Sequence, residues 1–117
     1  MKKFIAFFAL TFAYVLTIQA AEKDIIGNWK FESEQAPYDY QTGKAVFYEK
    51  DNALMLTLEF EYEELKDIKV TYKDNKYSFE VEVEYQMIPV ILEIKNGVIE
   101  GYAETPEGDL PVVMKRE

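Results

Sequence analysis

Cysteine and histidine are both absent from this 117-residue chain. Without thiols there are no disulfides, so a small domain must be held by its apolar core alone. The same absences exclude thiol nucleophiles, Ser-His-Asp triads and conventional zinc ligation. Carboxylates, tyrosine and lysine are what remains for chemistry. The longest apolar stretch, Phe4 to Ile18, has 15 residues, short of the ~20 that span a bilayer.

That stretch follows Lys2-Lys3 and ends in Gln19-Ala20-Ala21. A charged start, an apolar run and small residues at its end predict a secretory leader over residues 1–21, and a single mature domain over 22–117. Cleavage after Ala20 or Ala21 leaves 97 or 96 residues, in the periplasm or secreted, with no stable membrane insertion afterwards. Two of the 13 basic residues and none of the 22 acidic ones lie in the leader, so the mature domain carries −11. Such a surface repels phosphate backbones, and no nucleic-acid partner is expected.

The mature chain alternates apolar and polar residues, the period of strands with one buried face. Leu54, Leu56, Leu58, Phe60 and Tyr62 form one inward stripe; Tyr77, Phe79, Val81, Val83 and Tyr85 form another. Lys50-Asp51-Asn52, Lys73-Asp74-Asn75 and Lys95-Asn96-Gly97 begin 23 and 22 residues apart. Their Asp, Asn and Gly residues tolerate the positive φ of tight hairpins. A hairpin repeat of that length predicts eight strands, near 27–33, 43–49, 54–62, 67–72, 77–86, 89–95, 98–104 and 110–116.

Two-residue turns at Asp74-Asn75 and Asn96-Gly97 set Tyr72 against Tyr77, Ile94 against Ile99, Leu92 against Gly101 and Val90 against Ala103. A turn at Met87-Ile88 and a loop at 63–67 would align Glu61, Lys69, Glu80 and Lys95 in one outer row of alternating charge. Eight strands in an up-and-down antiparallel meander leave two raw edges unless the sheet closes, so an all-β small barrel is expected. The alternative is a β-sandwich.

Gly27-x-Trp29-x-Phe31 opens the first strand, and Arg116 lies in the last. Parity points Trp29 and the Arg116 stem inward, where strand closure would stack the guanidinium on the indole. This pattern resembles the lipocalin, avidin and fatty-acid-binding superfamily, the calycins, although the domain is shorter than a lipocalin. The chain is also similar to a group of small exported β-domains of Gram-negative bacteria. There the shared residues are Gly27, Trp29 and Phe31, then Ala36-Pro37-Tyr38, Tyr40 and Gly43, and later Pro106-Glu107-Gly108 with Leu110-Pro111. The first resemblance implies a lipocalin-like barrel; the second implies no activity.

Eight strands enclose a lumen that side chains fill or that holds one small molecule. The Leu, Phe and Tyr stripes favour filling. Gly101 and Ala103 are small inward exceptions; they make room for neighbours such as Trp29, or border an apolar ligand pocket entered near Tyr38 and Tyr40. Trp29, Tyr38, Tyr40, Gly101 and Ala103 are thus the candidate ligand-binding residues for a small apolar guest. Outside, the register groups Ile91, Tyr102, Pro111 and Val113 on the last three strands. An apolar cluster on a charged barrel suits a protein partner or a homodimer.

Alternating Glu residues share a direction without converging on a point, and no Asp-x-Asp-x-Asp-Gly loop is present, so no metal site is expected. Nor do these convex-face carboxylates offer the cleft that a glycosidase pair requires. The sequence therefore reads as a non-catalytic exported binding or interaction module with no cofactor, acting through the outer patch or barrel mouth. The alternative is a lipocalin-like carrier of a small apolar ligand in the lumen.

Overall fold

Alternation and paired left-handed turns wind the chain into a meander. The computed structural model describes residues 20–117, so the expected leader up to Gln19 lies outside the described residues. A 3₁₀ helix, Ala20–Ile25, leads into β1 (Gly27–Glu32), and a second, Tyr38–Tyr40, precedes β2 (Thr42–Lys50). Then follow β3 (Ala53–Glu59), β4 (Glu64–Lys69), β5 (Thr71–Lys73), β6 (Lys76–Val83), β7 (Gln86–Lys95), β8 (Val98–Thr105) and β9 (Gly108–Arg116). The strands form one antiparallel sheet in the order β4-β3-β2-β1-β9-β8-β7-β6-β5. Its first and last members are separated in the chain by Val70 alone, so the sheet curls into a nearly closed barrel. No described helix is long and apolar enough to cross a membrane.

Nine strands stand where eight are expected, because the segment near 67–72 divides. The Val70 amide donates to the Leu54 carbonyl at 3.0 Å, on the β3 side. One residue later, Thr71 pairs with Ser78 on the β6 side. A single buried valine thus hands the chain from one wall to the other.

The three expected turns form at Asp51-Asn52, Asp74-Asn75 and Asn96-Gly97, each with two successive positive φ angles. That is the type I′ geometry whose twist matches paired strands. The pairings Tyr72–Tyr77, Leu92–Gly101, Val90–Ala103 and Ile94–Ile99 all form. The turn expected at Met87-Ile88 instead falls at Glu84-Tyr85, with φ of 51° and 68°. Neither residue favours that region. The core decides, since this register sets Phe79 against Val90 and Val81 against Ile88.

The charge row is broken as a result. Glu80 faces Pro89, and Lys95 faces Val98. Lys69 faces Met55, because two residues of β4, Lys66 and Asp67, oppose Thr57 alone in a bulge between Leu56 and Leu58. Like charges stand directly opposed at Glu59–Glu64, Glu93–Glu100 and Glu104–Asp109. The inward stripes are also shorter than expected. Tyr62 and Tyr85 lie beyond the strand ends, in loop and turn, and both are exposed.

At the bulge, Asp67 accepts hydrogen bonds from the Tyr48 hydroxyl and, at 3.3 Å, from the Lys50 ammonium. The Tyr48 bond, then Lys50, hold its carboxyl below the ordinary Asp value. A depressed folded-state pKa gives stability that is fully present above the unfolded value of about 3.9 and lost as pH falls through the folded one. In Tyr48→Phe the Asp67 carboxyl carbon should titrate closer to that unfolded value. An unchanged NMR midpoint would assign the depression to Lys50 alone.

Candidate functional site

The two ends of the barrel differ. At one end Trp29, Phe47, Leu56, Leu92 and Ile99 are fully buried and pack solid. The 3₁₀ helix Ala20–Ile25 caps them, with Ile25 itself buried. Trp29 donates its indole N–H to the Ile25 carbonyl at 2.8 Å. The Arg116 guanidinium lies 4.1 Å from the indole centroid and donates to the carbonyls of Ile26 at 2.8 Å and Asp24 at 2.6 Å. Tyr77, whose hydroxyl is pushed well above the ordinary tyrosine value chiefly by burial, donates to the Glu22 carbonyl at 3.4 Å. The segment before Gly27, which straddles the end of the expected leader and carries no expected strand, is therefore the plug. Ile25-Ile26 was its only signal.

At the other end lies a cavity of about 530 Å³. Its walls are Phe31, Leu58, Phe60, Phe79, Val81, Ile88, Val90, Leu110, Val112 and Met114, inward residues from five of the nine strands and the chain just past β3. Its polar groups (Ser33, Gln35, Tyr40, Glu84, Gln86, Thr105 and Glu107) come from strand ends and connections around the mouth. A filled lumen is thus only half the outcome. Meander geometry lets one half be packed while the other, ringed by the longer connections, stays hollow.

The longest connection covers the rim as an ordered strap. The Ser33 amide donates to Gln41 O at 2.7 Å, and the buried Ser33 hydroxyl donates to Pro111 O at 2.8 Å. Gln41 Nε2 donates to Ala36 O at 3.1 Å, and the Tyr40 amide to Pro37 O at 2.8 Å. Tyr40 meets Phe60 edge-on at 5.0 Å, and Phe60 meets Phe31 at 5.3 Å, both with rings 82° apart. Such contacts contribute about 0.5–1.5 kcal/mol each beyond area burial. They hold the strap against the cavity wall.

Of the five candidate ligand-binding residues, Tyr40 and Ala103 line the cavity. The other three do not. Trp29 belongs to the packed end. Tyr38 points away, 79% exposed. Gly101 serves Leu92 rather than Trp29: a Cβ there would strike the Ile91 carbonyl oxygen and come within 2.8 Å of Leu92 Cα and Cδ2. Sequence reasoning missed Ser33, Glu84, Gln86 and Glu107. Glu84 and Gln86 become wall residues only because the turn falls at Glu84-Tyr85, which no turn signal marks.

Outside, the structure brings Ile91, Tyr102, Pro111 and Val113 together. Ile91 pairs with Tyr102, Tyr102 with Pro111, and Val113 with Glu100 beside them. Tyr102 and Pro111 are exposed, and Ile91 and Val113 half-buried. Although β9 is a central strand, its ladder with β1 ends at Glu32–Val113. Pro111 lies past that point, so its missing N–H removes no bond to β1. Among the described residues no group of carboxylates is placed to hold a metal ion.

No protein-family model matches the chain, and no curated protein matches it in sequence. In three dimensions it is similar to the fluorescent protein UnaG, seen in a crystal structure of a single-residue variant. The TM-score is 0.57 at 13% identity, covering 82% of this chain and 98% of that one. At such identity the likeness is one of fold alone. The chain folds as a nearly closed antiparallel meander barrel, similar in fold to that protein, sealed at one end and hollow at the other.

Proposed function

We propose that this protein is a non-catalytic carrier that holds one small, largely apolar molecule in the open half of its barrel. The observation that supports it is the cavity: about 530 Å³, walled by aliphatic and aromatic side chains, with polar groups confined to its mouth. Volumes of roughly 300–1,000 Å³ with a few convergent polar groups are those of small-molecule sites. The mouth and the lumen, which the sequence separated into rival readings, become parts of one site. The leader-like N-terminus supports a setting in the periplasm or outside the cell. The outer row around Tyr102 is a candidate protein-contact face, secondary here because two of its four side chains are already half-covered by their neighbours.

Titration with the neutral, environment-sensitive dye N-phenyl-1-naphthylamine tests the carrier. Saturable binding of one dye per chain at micromolar concentration is expected. Ala103→Trp, which places a large side chain on the cavity wall, should abolish the signal while leaving the circular dichroism spectrum unchanged. Absence of saturable binding, or binding indifferent to Ala103→Trp, would remove the carrier reading.

A further inference from the structure

The cavity is lined by carboxylates and by no base. Glu84 and Glu107 stand in its wall at the open end, and among the described residues no lysine or arginine does. Tyr40 lines the same rim, while Tyr38, Tyr62 and Tyr85 lie outside the lining, exposed in the β1–β2, β3–β4 and β6–β7 connections at this end of the barrel. A carboxylate-headed guest entering here would meet like charge alone. Ring faces carry negative potential, and aromatic side chains beside acids are what recognises an ammonium group.

Resting on the carrier reading above, we propose that the preferred guest is a cationic amphiphile, its apolar body in the cavity and its ammonium group at the mouth beside Glu84 and Glu107. The surroundings of Tyr40 agree with this. Its hydroxyl is held above the ordinary value first by burial and then by Glu63, Glu84 and Asp39, so a negative field covers the opening. Inside, the walls from Phe31 to Met114 give a cationic head no comparable partner, and the head stays at the rim.

Calorimetric titration at low ionic strength with three dodecyl amphiphiles, each below its micelle-forming concentration, separates the outcomes. The heads are trimethylammonium, a neutral ethylene-glycol ether and carboxylate. Affinity should fall in that order, with each rim carboxylate contributing about two- to five-fold between ammonium and ether. The gap should narrow as salt rises. Glu84→Gln with Glu107→Gln should erase the order while leaving the ether's affinity intact. Glu93→Gln with Glu100→Gln, an opposed pair on the outer face of β7 and β8, removes the same net charge and should preserve the order. Equal binding of all three, tightest binding of the carboxylate, or equal loss of preference in the outer-face variant would overturn the cation inference and leave the carrier standing. Failure of all three to bind would overturn both.

Discussion

Trp29→Ala should lower unfolding stability by about 3–5 kcal/mol, the range for removing a buried tryptophan from a packed core. For a domain of this size each kcal/mol moves the midpoint by roughly 4–8 °C, so thermal unfolding should shift by well over ten degrees. Three contacts fail together. The indole is 1% exposed within the solid end, its N–H satisfies the Ile25 carbonyl, and its face carries Arg116. Removing it frees the plug helix as well as leaving a void. The glycine two residues earlier belongs to the same device, because a Cβ on Gly27 would strike the Arg116 guanidinium.

A double-mutant cycle with Arg116→Met separates packing from stacking. The coupling between Trp29 and Arg116 should be about 0.5–2 kcal/mol, the range for a cation over a ring. Coupling near zero would mean that Arg116 acts only through its bonds to the carbonyls of Ile26 and Asp24. Dye binding at the far end should survive in whatever fraction of Trp29→Ala remains folded, since Trp29 does not touch the cavity.

Gly101→Val should cost about 2–3 kcal/mol, as overpacking of a tight site does. The obstacles are the Ile91 carbonyl oxygen and Leu92 Cα, both backbone, so no rotamer change can relieve the clash. β7 and β8 must therefore separate locally. Gly97→Ala offers the contrast. Nothing lies within 4 Å of its Cβ position, but its φ is +79°, so an expected loss of about 1 kcal/mol comes from backbone conformation instead. Denaturant midpoints for the two variants decide. A Gly101→Val domain as stable as the parent would show that the β7–β8 contact yields more easily than its geometry implies.

Much of this architecture is legible in the residues. Alternation from Leu54 to Phe60 and from Tyr77 to Val83 fixes which side chains face inward, because a strand's period is two whatever its neighbours do. Asp-Asn and Asn-Gly pairs mark three of the four I′ turns by their tolerance of positive φ. Gly27, Trp29 and Arg116 foretell the packed end, since closing the meander makes first and last strands neighbours. The apolar outer row from Ile91 to Val113 follows from the Asn96-Gly97 turn, the connection after β8 and parity.

The tertiary structure alone decided the rest, and in each case through contacts distant in sequence. Glu84-Tyr85 becomes a turn because the β6–β7 core pairing outweighs two unfavourable backbone conformations. That shift preserves parity but moves register, which dissolves the expected charge row and puts Glu84 and Gln86 at the cavity mouth. The bulge at Lys66-Asp67 and the handover at Val70 depend on how far the barrel must curve to meet itself. Whether a lumen is filled depends on how whole side chains from many strands share one volume, and alternation along any one strand carries no information about that sum. The sequence by itself determined an acidic, cysteine-free barrel with an inward apolar face; the meeting of its walls decided that one end is solid and the other hollow.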